Sequence, residues 1–204
     1  MGTQVLKAMM ARHLHLRPAE NREAAEIAIL VDISAHGFAS WLWYGAVLDG
    51  RTETAIERGR QKMRSDDTEG WKNTTMAEWD GEIAGLSIGY TLDESLNDFP
   101  PQHPVLDQLI TLQRKVIGHR FVDSVGVYRE FRGRGIGRAL MVHEIGKARE
   151  NGNPAISLIT ESYNEVALSL YAAHGFKEVE RLEALERIGQ DKKHDWVLLS
   201  RDMN

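Results

Sequence analysis

The 204-residue chain has no cysteine. That excludes disulfide scaffolds, thiolate nucleophiles and cysteine-ligated zinc, and fits a reducing compartment. Long apolar runs are missing as well. The longest stretch free of Asp, Glu, Lys and Arg is Ile33–Leu48, which includes His36, Gly37 and Ser40. It falls short of the roughly 20 mainly apolar residues of a spanning helix, so no membrane partner is expected. Lys7 and Arg12 are not followed by the apolar core of a signal peptide, and a cytoplasmic protein is the expectation. An excess of basic residues is also absent. Lys plus Arg is 25 against 30 for Asp plus Glu, a formal net charge of −5, whereas a non-specific nucleic-acid binder is usually basic. No nucleic-acid partner is expected. The 8 histidines show no HExxH or comparable spacing, so no metal is expected.

What is present suits a folded domain. Hydrophobic residues make up 42% of the chain, enough to offset the entropy of ordering. At roughly 150 residues per domain, residues 1–204 read as a single domain. His13–Arg17 alternates polar and apolar like a short strand, and Pro18 is expected to open a helix that Gly37 stops. A second helix is expected from Thr52 to Arg64. Thr74–Trp79 and Glu82–Tyr90 flank Asp80-Gly81, a strong hairpin signal. Residues 92–118 read as an insertion or lid: a polar loop with Pro100 and Pro101, then a helix over Val105–Ile117. Strands are expected at Arg120–Val127, Ala155–Thr160, Phe176–Leu182 and Trp196–Arg201, and helices at Gly135–Asn151 and Asn164–Ala173. The order is that of a mixed α/β architecture, with helices on a largely antiparallel sheet.

Chemistry concentrates where the strand Arg120–Val127 runs through a Gly-rich turn into a helix. The turn reads Arg132-Gly133-Arg134-Gly135-Ile136-Gly137-Arg138. Glycines let the backbone turn tightly. N–H groups at a helix N-terminus favour an anion, and Arg132, Arg134 and Arg138 add cationic donors. A phosphate or pyrophosphate is the simplest ligand. The spacing fits neither a Walker A loop, since Gly137 is followed by Arg138 and Ala139, nor a dinucleotide fingerprint, whose third glycine would fall at Arg138. A nucleotide-dependent oxidoreductase is disfavoured on that ground.

Val125-Gly126-Val127 followed by Arg132–Gly137 resembles the acetyl-CoA signature of the GNAT superfamily of CoA-dependent N-acetyltransferases. Asn164, Ala167, Leu170, Tyr171, Gly175 and Phe176 match that family's N-x-x-A-x-x-L-Y-x-x-x-G-F pattern. Arg129 stands where members often carry proline. The resemblance implies a GNAT-like fold: a largely antiparallel, twisted sheet of six to seven strands flanked by helices, with a splayed central strand pair. It also implies acetyl-CoA as cosubstrate and an amine acceptor as partner, and members commonly form homodimers.

By the same resemblance, backbone groups of Val125, Gly126 and Val127 would pair with the pantetheine arm. Arg132, Gly133, Arg134, Gly135, Ile136, Gly137 and Arg138 would hold the pyrophosphate, and Asn164 would bond the pantetheine or acetyl region. Tyr171 would be the general acid that protonates the departing thiolate, a step a phenol can perform. Seven positions separate it from Asn164, which puts both on one helix face. The base is less defined: Asp123 and Glu161 are candidates, with Glu82 and His119 behind them. Trp41, Trp43 and Tyr44 read as packing residues, or as lining of the acceptor pocket. The acidic charge leans toward a cationic acceptor such as a polyamine, aminoglycoside or peptide amine. The rival class is a non-catalytic acyl-CoA-binding sensor.

Overall fold

The computed structural model describes residues 13–187 and 193–203. Lys7 and Arg12, on which the signal-peptide reading rested, lie outside the described residues. Strand β1 (Leu14–Pro18) leads through a 3-10 turn (Asn21–Glu23) into three helices: α1 (Ala24–Ser34), α2 (Phe38–Leu48) and α3 (Ala55–Arg64). Strands β2 (Thr74–Trp79) and β3 (Glu82–Thr91) follow. A 3-10 turn (Glu94–Asp98) and α4 (Pro104–Arg114) precede β4 (Arg120–Val127). Another 3-10 turn (Arg129–Phe131) leads to α5 (Ile136–Glu150), β5 (Ala155–Glu161), α6 (Glu165–Ala173), β6 (Lys177–Glu183) and β7 (Asp195–Asp202).

The fold is mixed α/β. Among the described residues, seven strands run in the order β1-β2-β3-β4-β5-β7-β6. Pairing is antiparallel for β1 with β2, β2 with β3, β5 with β7 and β6 with β7. β4 and β5 are parallel, joined at Arg120↔Ile156 and Phe121↔Ser157. The hairpin between β2 and β3 turns where expected. Asp80 and Gly81 both have positive φ, 54° and 85°, as the primed turns of tight hairpins require.

Three features depart from the sequence reading. Pro18 does not open a helix; it ends β1, opposite Thr75. The helix starts only at Ala24, after a turn in which Glu20 and Glu23 form a reciprocal capping box. A whole helix, α2, lies where no element was expected. Its window is apolar nearly all round, so it carries little helical periodicity. It follows the corner of His36 (φ 48°) and Gly37 (φ 80°), which ends α1 as expected and caps the next helix. The polar segment 92–103 contains the 3-10 turn Glu94–Asp98, which Asp93 caps by accepting from the Ser95 N–H at 2.9 Å.

The described residues group into two units, one comprising those up to Gly89 with Asp123–His143, the other Tyr90–Val122 with Glu144 onward. In the first unit, Ala77, Ala84, Ile136 and Leu140 form a buried cluster, with Leu14, Leu16, Trp79, Val125, Val127 and Phe131 packed against it. The opposite side of β4 meets α1. A Cβ at Gly126 would stand 2.5 Å from the Leu30 carbonyl oxygen. Trp43 of α2 is buried over Gly59 of α3, where a Cβ would reach 2.4 Å from its ring.

In the second unit, Ile156, Leu158, Val197 and Leu198 are buried on β5 and β7. Arg120 and Glu144 form a buried ion pair at 2.6 Å. Helix α4 is tied to the end of β6: the Gln108 side-chain amide donates to the Glu183 carbonyl at 2.7 Å and its oxygen accepts from the Leu185 N–H at 2.9 Å.

Candidate active site

The Gly-rich turn belongs to the first unit. Strand β4 delivers it, because Val125 and Val127 anchor their side chains in the cluster around Ile136 and Leu140. Gly126 points the other way and lets α1 approach. The chain then leaves through the 3-10 turn that begins at Arg129, in place of the proline common there. Gly133 and Gly135 adopt φ of 77° and 80°, where an L side chain is strained. Gly137 serves differently, as a residue in the first turn of α5. The Gly135 carbonyl accepts the Ala139 N–H at 3.0 Å, so the N–H groups that follow it lack a carbonyl one turn earlier.

Both turn arginines close the loop on itself. The Nε of Arg132 donates to the Val127 carbonyl at 3.1 Å, and an Nη of Arg134 donates to the Glu130 carbonyl at 3.3 Å. Their guanidinium groups keep further N–H donors, and Arg132, Arg134 and Arg138 are all exposed. Positive side chains, positive-φ glycines and helix-start N–H groups fit a pyrophosphate. Nearby, Tyr128 donates to a Glu26 carboxylate oxygen at 2.5 Å. Burial, reinforced by that carboxylate, raises the Tyr128 phenol well above its ordinary pKa. Nothing in the sequence signalled this pairing, because Tyr128 and Glu26 are far apart along the chain.

Asp123 also lies in the first unit, on β4, where its carboxylate accepts from the Ser124 hydroxyl at 3.0 Å. Its negative charge acts on Lys62 of α3, which also pairs with Glu69. Burial pulls the Lys62 ammonium down, but Glu69, Asp123 and Asp67 outweigh it and the net shift is upward. Glu82 is exposed at the start of β3. Of the aromatic trio, Trp43 is buried over Gly59, Trp41 stacks on Phe38 at 5.8 Å, and Tyr44 is 51% exposed. Packing accounts for Trp43.

The second unit carries Asn164, Tyr171, Glu161 and His119. Asn164 is the N-cap of α6, and its side-chain oxygen accepts the Ala167 N–H at 3.3 Å. An Asn just before a helical run is a cap signal in its own right. Its ψ of 69° is not helical, so the one-face argument linking it to Tyr171 does not extend to it. The cap leaves the amide nitrogen, which makes a long 3.5 Å approach to the Thr160 hydroxyl. Tyr171, in the last turn of α6, is buried with its ring 5.9 Å from that of Phe176. Burial first, then the negative charge of Glu161, raises its phenol well above the ordinary tyrosine value. It is therefore a neutral O–H donor across the neutral range.

Glu161, at the end of β5, is buried. His119 precedes β4, and its Nδ1 is 2.8 Å from the Ser157 hydroxyl, which donates to Ser200 at 2.9 Å. Burial lowers the His119 pKa against the opposing charge of Asp202, keeping the ring neutral. Among the described residues, no group of His, Asp and Glu side chains is arranged to hold a metal ion. No helix among them is long and apolar enough to cross a membrane.

A model of the acetyltransferase (GNAT) family matches residues 38–176. Solved structures with similar folds include an N-acetyltransferase from Staphylococcus aureus Mu50, at 17% identity and TM-score 0.61, covering 94% of this chain and 99% of that one. The protein yncA of Salmonella typhimurium, solved with its cofactor acetyl-CoA, is 17% identical with TM-score 0.60, covering 94% and 95%. The ribosomal-protein-S18-alanine N-acetyltransferase of Escherichia coli is 15% identical with TM-score 0.58, covering 93% and 94%.

Proposed function

Because this chain belongs to the GNAT acetyltransferase family, we propose that it transfers an acetyl group from acetyl-CoA to a primary amine of a small molecule or peptide by direct attack. The observation that carries this reading is the turn at the start of α5. Arg132 and Arg134 there bond back to the Val127 and Glu130 carbonyls, Gly133 and Gly135 have positive φ, and the helix begins directly after them. In this reading Arg132–Arg138 take the pyrophosphate, Val125–Val127 offer backbone groups to the pantetheine arm, and the Asn164 amide nitrogen donates to the cosubstrate. The two joined positions of β4 and β5 support a splayed strand pair. Residues 1–204 act as one catalytic domain, with 92–118 inserted in it.

The amine nitrogen bonds to the acetyl carbonyl carbon, the carbon–sulfur bond breaks, and the departing thiolate takes a proton from Tyr171. The amine's surplus proton goes to Asp123, Glu161 or water, and the tyrosine regains its own from solvent. The raised Tyr171 pKa keeps the phenol protonated and able to hydrogen-bond the developing thiolate, while making full proton transfer to it harder. Holding both reactants in line and polarising the carbonyl with a strand N–H lower the barrier further. A cationic acceptor fits the net charge of −5.

The test is calorimetric titration of acetyl-CoA and desulfo-CoA across a salt series, with Arg134→Ala and Tyr171→Phe, followed by thiol release in an amine panel. Salt-sensitive binding weakened in Arg134→Ala and kept in Tyr171→Phe is expected, with amine-dependent thiol release. No binding at high micromolar cofactor would overturn the reading. Binding without any acceptor-dependent turnover would reassign the chain as an acyl-CoA sensor.

A further inference from the structure

Arg134 is not a free surface arginine. Its guanidinium carbon lies 5.3 Å from the centroid of the Trp79 ring and 5.3 Å from that of Phe131. Trp79 ends β2, and Phe131 ends the 3-10 turn that leads into the Gly-rich loop. Both rings are partly buried against Ala77, Ala84, Ile136 and Leu140. Trp79 also stacks on His13, with ring centroids 5.4 Å apart and planes 17° from parallel. His13 in turn lies 2.5 Å from the Asp80 carboxylate in the hairpin turn. One column of side chains thus runs from the β2–β3 hairpin to the turn.

We propose that Trp79 is a positioning residue for the phosphate turn, holding the Arg134 guanidinium ready for the phosphates of CoA. This rests on the proposed CoA-binding reading of Arg132–Arg138. An arginine on an exposed turn loses rotamer freedom when it grips an anion. Two rings and the Glu130 carbonyl impose that order beforehand. The ring contacts hold the cation by its charge without neutralising it, and the bond to the Glu130 carbonyl leaves other N–H donors on the guanidinium. The indole supplies the stronger ring face of the two.

The experiment is a double-mutant cycle of Trp79→Leu and Arg134→Ala, read as the calorimetric Kd for CoA, with pantetheine as the phosphate-free ligand. Trp79→Leu alone is expected to weaken CoA binding about twofold to fivefold, the factor that an exposed cation–π contact supports. In the Arg134→Ala background the same change adds nothing, and pantetheine binding does not move in either. Trp79→Phe, which keeps a ring face, restores most of the affinity. An equal loss in both backgrounds, or an equal loss for pantetheine, would overturn the proposal by showing that Trp79 acts on folding or shape alone. Should Trp79→Leu fail to fold, Trp79→Met enters the same cycle with the same criteria. Wild-type protein that binds no CoA would sink the underlying reading as well. Wild-type binding without coupling between the two positions would sink only this inference.

Discussion

Gly126 on β4 and Leu30 on α1 approach so closely that a Cβ on the glycine would stand 2.5 Å from the Leu30 carbonyl oxygen. A backbone atom cannot swing aside, so the strand that leads into the Gly-rich turn and the first helix hold each other in register. Gly126→Ala is expected to cost about 1–3 kcal/mol, the usual range for overpacking, measured by urea unfolding. An unchanged midpoint would show that α1 slides freely on β4.

Gly59→Ala runs against the usual helix rule. In an open helix the change stabilises by about 0.5–1 kcal/mol, but here the new Cβ would meet the Trp43 ring at 2.4 Å. Net destabilisation is expected, again by about 1–3 kcal/mol. Trimming Trp43 to Leu in the same chain recovers part of it. If the two changes add without coupling, the packing account of Trp43 fails and its acceptor-lining reading regains weight.

Tyr171→Phe keeps the ring against Phe176 and removes only the hydroxyl. A loss in kcat of about a hundredfold is expected, with KM for acetyl-CoA little changed. Because burial raises this phenol, activity should show no falling limb from its ionisation at or below the ordinary tyrosine value. The linked stability has a definite sign. It is present below the unfolded tyrosine pKa and is lost as pH rises through the higher native one. A kcat within a few-fold of wild type would hand the proton transfer to water.

Arg17 bridges two acids: an Nη donates to Glu23 at 2.6 Å and its Nε to Glu78 at 2.7 Å. The guanidinium lowers both carboxyl pKa values below the ordinary range. That stability is present above the unfolded glutamate pKa and is lost as pH falls through the lower native values. Arg17→Ala should cost about 1 kcal/mol at neutral pH, discounted for partial solvent contact. The gap to wild type should close in acid, as read by urea midpoints at pH 7 and below pH 4. A gap constant across that range would remove the charge from the explanation.

Much of the site could be read along the chain because its signals are local. Glycine at positive φ, arginines around a helix start and the Asn that precedes α6 each work through neighbours a few residues away, and Asp80-Gly81 turns a hairpin for the same reason. Helix α2 was not legible, since a helix apolar on nearly all sides has no period to detect. Pro18 misled because proline suits both the first turn of a helix and a strand end.

Local chemistry in the sequence thus specified the strand–turn–helix, the order of most elements and the family. Which partners those residues meet was decided only when distant segments packed. Trp79 reaches Arg134, Tyr128 reaches Glu26 and Trp43 covers Gly59 because strand pairing and helix docking bring them together. Dispersion, burial and cation–π contacts act over a few ångströms and take no account of sequence distance.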